Sequence, residues 1–359
     1  MNKQIISGST IGILGGGQLG KMLCVAAQRL GYKVHIYSDS KNNPAVNISD
    51  RYTIGNFDAL DKIKIFARDC SIVTFETENI PINTLITVNK LVKTAPMLKS
   101  LEITQNRVKE KEFLNSQNIP TTKFHEISNL SNLETASELV GFPAIIKTNR
   151  FGYDGKGQLS INNYNELANA WDNFSNQECI LEKQIDFERE ISVILARKNN
   201  DTIEVYEPSV NTHESGILRS SEVTSTINRS IKLKSQEIAI KIANALQHIG
   251  IICVEMFLTK EDKILVNEIA PRVHNSGHWT LDGSVTDQFE QHIRSICNLP
   301  LGDTYKHSNV VMKNILGEEI KSMDRYFLNP SAKLHFYGKE EIRKNRKMGH
   351  LNFVFKKRI

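Results

Sequence analysis

Two apolar runs, Ile251–Leu258 and Ile264–Ile269, flank the polar segment Thr259–Lys263, and each run is interrupted by a single glutamate. Runs of this kind around a short polar turn predict a hairpin whose strands are largely buried. Pairing Thr259 with Ile264 sets the register and puts Glu255 directly opposite Glu268. Cross-strand partners have Cβ atoms about 4.5–5.5 Å apart, where two carboxylates repel. In apolar strands that pair calls for a counter-charge. Mg²⁺ suits it, because this hard cation takes one or two carboxylates and completes its shell with water and phosphate oxygens. The alternative is an exposed edge hairpin whose acids face water.

The remainder of the 359-residue chain is of ordinary globular composition, 40% hydrophobic and 24% charged, so two or three domains with substantial cores are expected. No apolar run approaches membrane-spanning length and Met1–Gly8 lacks a signal-peptide core, so the expectation is a soluble, cytoplasmic protein with no membrane partner. A net charge of +5 is too small for a chain of this size to argue for nucleic acid. Five scattered cysteines without Cys-x-x-Cys spacing read as buried free thiols.

Before the hairpin, strand-like runs at Thr10–Gly15, Lys33–Tyr37 and Ser71–Phe75 alternate with helical patterns at Gln18–Leu30 and Asp58–Asp69. That alternation predicts a parallel sheet covered on both faces. Gly15, Gly17 and Gly20 form G-x-G-x-x-G between the first strand and helix, with Asp39 further on. The pattern fits either a dinucleotide-dependent oxidoreductase or a tight strand-to-helix turn without a dinucleotide.

A helix is predicted over Gln105–Gln117, with a domain boundary just ahead of it. Further helices are predicted at Leu130–Val140, Gln236–Ile249 and Val285–Cys297, and strands at Phe142–Lys147, Cys179–Lys183, Arg189–Arg197 and Ile203–Tyr206. After Lys147 comes a loop with Gly152, Gly155 and Gly157, whose spacing does not match a Walker-type phosphate loop. It suits either a mobile flap over phosphates or a solvated hairpin turn. His274 and His278 stand four apart, but the intervening Asn-Ser-Gly breaks a helix, so an anion-binding loop around Arg272 fits better than zinc. The tail run Arg343–His350 is basic, suited to a small anion or to a solvated face.

These segments together resemble the ATP-grasp ligases, and in particular the branch that carboxylates aminoimidazole ribonucleotide. The likeness rests on "GILGGGQLGKML", "TFETENIP", "QNRVKEKEFL", "GFPAIIKTNRFGYDGKGQ", "ILEKQIDFEREISVI", "VNEIAPRVHNSGHWT" and "NRKMGHLNF", in family order over nearly the whole chain. Ala270 stands where carboxylases acting on biotin and peptide-type ligases carry Asn. One departure is Thr77, in place of a bulky apolar residue; another is Asn106, in place of Asp.

The resemblance implies an α/β fold: an N-terminal Rossmann-like parallel-sheet domain (1–104), a central ATP-grasp domain (105–298) and a small C-terminal β-rich domain (299–359). It implies ATP and Mg²⁺ as cofactors, and aminoimidazole ribonucleotide and bicarbonate as substrates. The reaction would be ATP-driven carboxylation through carboxyphosphate, in purine biosynthesis, by a homodimer. Arg107, Lys147 and the loop Gly152, Tyr153, Asp154, Gly155, Lys156, Gly157 and Gln158 would hold ATP phosphates. Glu182, Lys183, Gln184, Ile185 and Glu190 would bind adenine and ribose, with His213 and Asn267 nearby, and Glu255 and Glu268 would bind Mg²⁺. Gln18, Glu76, Tyr153 and Asp154 would meet the ribonucleotide, with Lys339 and Arg346 on its phosphate and Arg272 and His274 where bicarbonate is activated. Asp154 and His274 are both candidates for the base that takes the amine proton. Rival readings are a nicotinamide-dependent oxidoreductase, a non-catalytic nucleotide-binding protein and another ATP-grasp enzyme such as a formate-using transformylase.

Overall fold

The structure, a computed structural model, describes residues 3–356 except 130, 151, 153–156, 175, 176, 200, 225 and 226. Its first unit runs β1 (Thr10–Leu14), α1 (Gln18–Arg29), β2 (Lys33–Ser38), β3 (Arg51–Ile54), α2 (Leu60–Arg68), β4 (Ile72–Phe75), α3 (Ile82–Asn89) and α4 (Leu98–Thr104). The strands form a parallel sheet in the order β3-β2-β1-β4, as the strand–helix alternation predicts. Helix α1 turns Leu19, Leu23, Ala26 and Ala27 inward, one stripe at helical spacing.

A second four-stranded sheet follows, with its helices: α5 (Arg107–Ser116), β5 (Phe124–Ile127), α6 (Asn132–Val140), β6 (Ala144–Thr148), β7 (Gln158–Ile161), α7 (Tyr164–Asn173) and β8 (Cys179–Lys183), with the antiparallel strand order β5-β8-β6-β7. Asn106 caps α5 by accepting from the Lys109 amide at 3.0 Å, so the expected helix begins at Arg107, two residues later than its pattern suggests.

The third and largest sheet is built from β9 (Phe187–Arg197), β10 (Ile203–Val205), β11 (Ser209–Glu214), β12 (Ile217–Val223), β13 (Gly250–Thr259), β14 (Ile264–Ala270), β15 (Ser308–Leu316), β16 (Ala332–Phe336) and β17 (Lys347–Lys356). Its order is β14-β13-β9-β11-β12-β15-β17-β16, with β10 beside β9, so the C-terminal strands extend the central sheet through β12 and β15. Helices α8 (Arg229–Ala245), α9 (Thr280–Gly283) and α10 (Gln288–Ile296) complete the chain.

Two helix starts differ from the sequence pattern by more than two residues, and α8 also ends four residues before the expected Ile249. Helix α8 starts seven residues before the expected Gln236, because its buried stripe passes through Ile231, Ser235 and Ala239, where the serine hides the periodicity. Helix α10 starts after Asp287, whose carboxylate accepts from the Phe289 and Glu290 amides at 2.9 and 3.0 Å, and this leaves Val285 outside the helix and exposed. Among the described residues no helix is long and apolar enough to cross a membrane.

Two buried histidines tie the first unit to β13. His292 accepts from the Ile251 amide at Nδ1 (3.1 Å) and meets Thr74 Oγ1 at 2.8 Å through Nε2. His248 bonds the Ile251 carbonyl at 2.9 Å and Ser100 Oγ at 3.1 Å. Burial lowers both, to about 3 for His292 and about 4 for His248, so each ring is neutral in the fold. Unfolding restores ordinary histidine behaviour near pH 6.5, so the unfolded chain binds more protons below that pH. The stabilisation is therefore complete above about pH 6.5 and is lost as pH falls toward 4, at up to about 1.4 kcal/mol per pH unit for each ring. Urea midpoints measured from pH 7.5 to 4.5 should fall through this window, with a shallower fall in His292→Gln; a flat profile would contradict the assignment.

Candidate active site

The β13–β14 hairpin brings Glu255 opposite Glu268, as the sequence predicts, but by a different route. The turn-proximal pairing is Leu258 with Ile264, one residue off the expected Thr259–Ile264. A regular ladder from there would set Glu255 against Asn267. A bulge between the Met256–Val266 and Glu255–Glu268 pairs takes up Asn267 as the extra residue and restores the facing acids.

Glu255 is only 9% exposed and sits in a strand otherwise apolar on both sides. Burial, then the charge of Glu268, raises its carboxyl to about 7. Arg107 Nη1 donates to Glu268 Oε2 at 3.2 Å, and His274 Nε2 lies 3.6 Å from Glu255 Oε1. Two hard oxygen donors on one face, one of them resisting ionisation unless it meets positive charge, fit a divalent cation that takes its other ligands from phosphate and water. Among the described residues no group of three or more His, Cys, Asp or Glu is arranged as a self-sufficient metal site.

Both acids line one cavity, and Glu268 also lines a second. The first, about 250 Å³, is lined by Lys147, Gln158, Glu190, His213, Glu255 and Asn267 among others. Lys147 and Glu182 project from the same face of neighbouring strands, since Ile145 pairs with Glu182, and their side chains meet at 2.8 Å while almost wholly buried. Burial opposes the charge on Glu182, but Lys111 and Lys147 outweigh it and hold the carboxyl at about 2. His213 Nδ1 contacts Glu190 Oε2; burial works against the charged ring, yet Glu190 and the nearby Glu255 raise it above its ordinary value. Lys183 donates to the Phe142 carbonyl at 2.7 Å and the Gln184 amide to that of Pro143 at 3.2 Å; Ile185 follows half-buried, and none of the three lines the cavity. The Gly157 carbonyl accepts from Thr148 at 2.8 Å, and Gly152 lines both cavities. Tyr153, Asp154, Gly155 and Lys156 lie outside the described residues.

The second cavity, about 330 Å³, opens toward the first unit and is lined by Gln18, Glu76, Glu78 and Arg272, with Arg107, Glu268, His274 and Asn275 among the residues shared with the first. Here the glycine turn declares its purpose. The Gly17 and Gly20 amides donate to the two oxygens of Glu76 at 2.5 and 2.8 Å, so a carboxylate of the chain itself takes the N-terminus of α1. A Cβ at Gly15 would fall 2.3 Å from Glu76 Cγ, and one at Gly17 2.7 Å from its Oε1. The glycines make room for Glu76 rather than for a pyrophosphate. Burial raises Glu76 above the ordinary carboxylate range despite those donors.

Arg272 forks onto Glu78, with Nη2 to Oε1 at 2.7 Å and Nε to Oε2. Burial opposes ionisation of Glu78, but Arg272 holds it at about 2. His274 is lowered to about 3 by burial and by Arg272, and is neutral. Its Nδ1 meets Ser276 Oγ at 2.9 Å and the Ser276 amide at 3.3 Å, which turns Nε2 toward Glu255.

Lys339 donates to the Lys347 carbonyl at 2.8 Å and its charge is felt at Glu76, whereas Arg346 donates to the Glu341 carbonyl at an exposed position. Lys347, within the same basic run, lines both cavities. Glu78, Lys347, Asn275 and the buried Glu110 and Lys111 escape sequence reasoning. Charge runs do not say which lysine turns inward, and nothing in "QNRVKEKEFL" marks two of its charges as buried. The side-chain amide of Asn275 is buried, and neither its donor nor its acceptor has a hydrogen-bond partner among the described residues. Such a group is suited to meet a polar ligand.

Facing carboxylates in a buried hairpin, a lysine-bearing strand beside a second small sheet, and a Rossmann-like first unit define an ATP-grasp enzyme. Residues 8–105 match the ribonucleotide synthetase preATP-grasp domain, 112–289 the ATP-grasp domain and 310–358 the phosphoribosylaminoimidazole carboxylase C-terminal domain. The chain is 40% identical over 356 residues to the N5-carboxyaminoimidazole ribonucleotide synthase of Bacillus subtilis, covering 99% of this chain and 94% of that one. Its fold superposes with a TM-score of 0.95 on the ADP complex of an N5-carboxyaminoimidazole ribonucleotide synthetase, at 39% identity and covering 99% of this chain and 94% of the other. It superposes at 0.90, with 28% identity and 98% and 94% coverage, on the Aspergillus clavatus synthase in complex with ADP and 5-aminoimidazole ribonucleotide. The chain belongs to the N5-carboxyaminoimidazole ribonucleotide synthase family of ATP-dependent ligases.

Because Glu76 fills the glycine turn, NAD should show no binding by calorimetry under conditions where ATP binds. Gly17→Ala should destabilise the fold by about 1–3 kcal/mol, the scale for disturbing a buried charged hydrogen bond. An unchanged melting temperature, or tight NAD binding, would contradict this role for the turn.

Proposed function

We propose that this chain uses ATP to carboxylate the exocyclic amine of 5-aminoimidazole ribonucleotide with bicarbonate, releasing ADP and phosphate. The observation that carries the reading is the junction of two cavities at Arg107, Glu268, His274 and Asn275. A phosphoryl donor in one cavity and a nucleotide amine in the other would meet there. The three units of the chain are taken to divide at 104/105 and 298/299.

Bicarbonate is a poor electrophile. Its oxygen attacks the γ-phosphorus, ADP leaves, and the resulting carboxyphosphate carries a carbon that an amine can attack with loss of phosphate. Glu255 and Glu268 would hold Mg²⁺, which supplies positive charge against the phosphate oxygens when bound. Lys147 and Arg107 add fixed cationic groups, preorganised by Glu182 and Glu268. Glu190 and His213 fit ribose hydroxyls, and Phe187 stacked on Phe257 at 4.8 Å gives the nucleotide cavity an apolar wall. Gln18 and Glu76 would meet the ribonucleotide, with Lys339 and Arg346 toward its phosphate and Lys347 joining them. Arg272, steadied by Glu78, and the Asn275 amide would hold the one-carbon acid. His274 stands beside that acid with Nε2 toward Glu255, and Asp154 and His274 are the two candidates for the base that takes the amine proton.

ADP release should require both aminoimidazole ribonucleotide and bicarbonate, and Glu268→Gln should reduce it at least 100-fold, on the order of 2.7 kcal/mol of transition-state stabilisation. Full turnover without the ribonucleotide, or in the variant, would contradict the reading. Lys147→Ala should weaken ATP binding at least tenfold by calorimetry, and unchanged affinity would remove Lys147 from the phosphate site.

A further inference from the structure

Strand β14 is an edge strand, and its bulge lies in its ladder with β13. In a regular strand successive carbonyls point to opposite sides. Here the carbonyls of Val266 and Asn267 both turn outward to one group, the Lys111 ammonium of α5, at 3.3 and 2.7 Å. The third Lys111 proton goes to Thr121 Oγ1 at 2.9 Å, and Thr121 donates onward to the Val266 carbonyl at 2.7 Å. Two residues on, the Ile269 amide donates to Glu110 at 2.7 Å, while the Val266 amide pairs with the Pro120 carbonyl at 2.8 Å. Lys111 and Glu110 are 1% and 2% exposed, so neither is a surface charge resting on the sheet by chance.

Side chains of α5, with Pro120 and Thr121 just beyond it, thus take the place of a full neighbour strand along β14, and they do so at the irregular residue. The bulge decides which side chain faces Glu255. With it the partner is Glu268; without it the ladder from Met256–Val266 would present Asn267 and turn Glu268 to the opposite face.

We propose that Lys111, assisted by Glu110 and Thr121, is a positioning residue that fixes the β14 bulge and thereby sets Glu268 opposite Glu255 for joint binding of a divalent cation. The inference rests on the metal role given to the two acids above. Lys111 lies behind the strand and acts through it; Arg107, one turn earlier on the same helix, reaches Glu268 directly.

The test uses the full-length protein with Mn²⁺ as a paramagnetic probe. ADP affinity is measured by calorimetry with and without Mn²⁺, and bound Mn²⁺ is counted by electron paramagnetic resonance. In Lys111→Met, the gain in affinity given by Mn²⁺ should fall at least tenfold, over and above any loss of metal-free ADP affinity that follows from removing a positive charge near Glu182. Amide exchange should quicken over residues 264–270. Thr121→Val, a milder change that removes one member of the clamp, should lose part of the gain and keeps the test open if Lys111→Met fails to fold. Glu268→Gln is the control. Retention of the full Mn²⁺ gain there would overturn the metal reading itself. Loss in Glu268→Gln with a wild-type gain in Lys111→Met, or in a folded Thr121→Val if Lys111→Met does not fold, would overturn the positioning role alone. An equal loss of ADP affinity with and without metal in Lys111→Met would mark general damage and would also contradict it.

Discussion

Two carboxylates held face to face in a buried hairpin are the constraint around which the rest of the molecule is arranged. Left alone, Glu255 and Glu268 would repel, and burial has already pushed Glu255 to about 7. The fold answers with cations of fixed geometry: Arg107 on Glu268, Lys147 on Glu182 and Arg272 on Glu78. The Lys147–Glu182 pair is almost wholly buried, where charges are little screened and removal of one partner leaves the other uncompensated, and the other two pairs are partly buried. The site is therefore electrostatically prepared before any ligand enters, which is what phosphoryl transfer asks of a protein.

The first unit shows how one local pattern serves different chemistry. Its strand, glycine turn and helix satisfy the spacing of a dinucleotide site, yet the helix N-terminus is occupied by Glu76. The electrostatic reason is the same in both uses: exposed amides at a helix start favour negative charge. Whether that charge is a cofactor or a side chain fifty-nine residues away depends on the neighbouring strand, which the motif does not contain.

The facing acids were legible because apolar strands around a short turn allow few registers, and one acid per strand marks the phase. The bulge was not legible, since Asn267 looks like any polar residue in a strand, and the hairpin anchor was accordingly one residue off. The short edge strand β3 and the polar strands β11 and β12 carry too little alternation to be seen, and α8 hides its stripe behind Ser235. Buried charges such as Lys111 and Glu110 are invisible for a different reason: their neutralising partners come from other elements, and only the assembled fold brings them together.

The most direct test of the account is the position of a divalent cation bound with ADP. Crystals grown with Mn²⁺ and ADP should give an anomalous peak coordinated by both Glu255 and Glu268 at about 2.1 Å, the range expected for hard oxygen ligands of an octahedral cation. A peak elsewhere, or nucleotide bound with both acids remote from the metal, would contradict it.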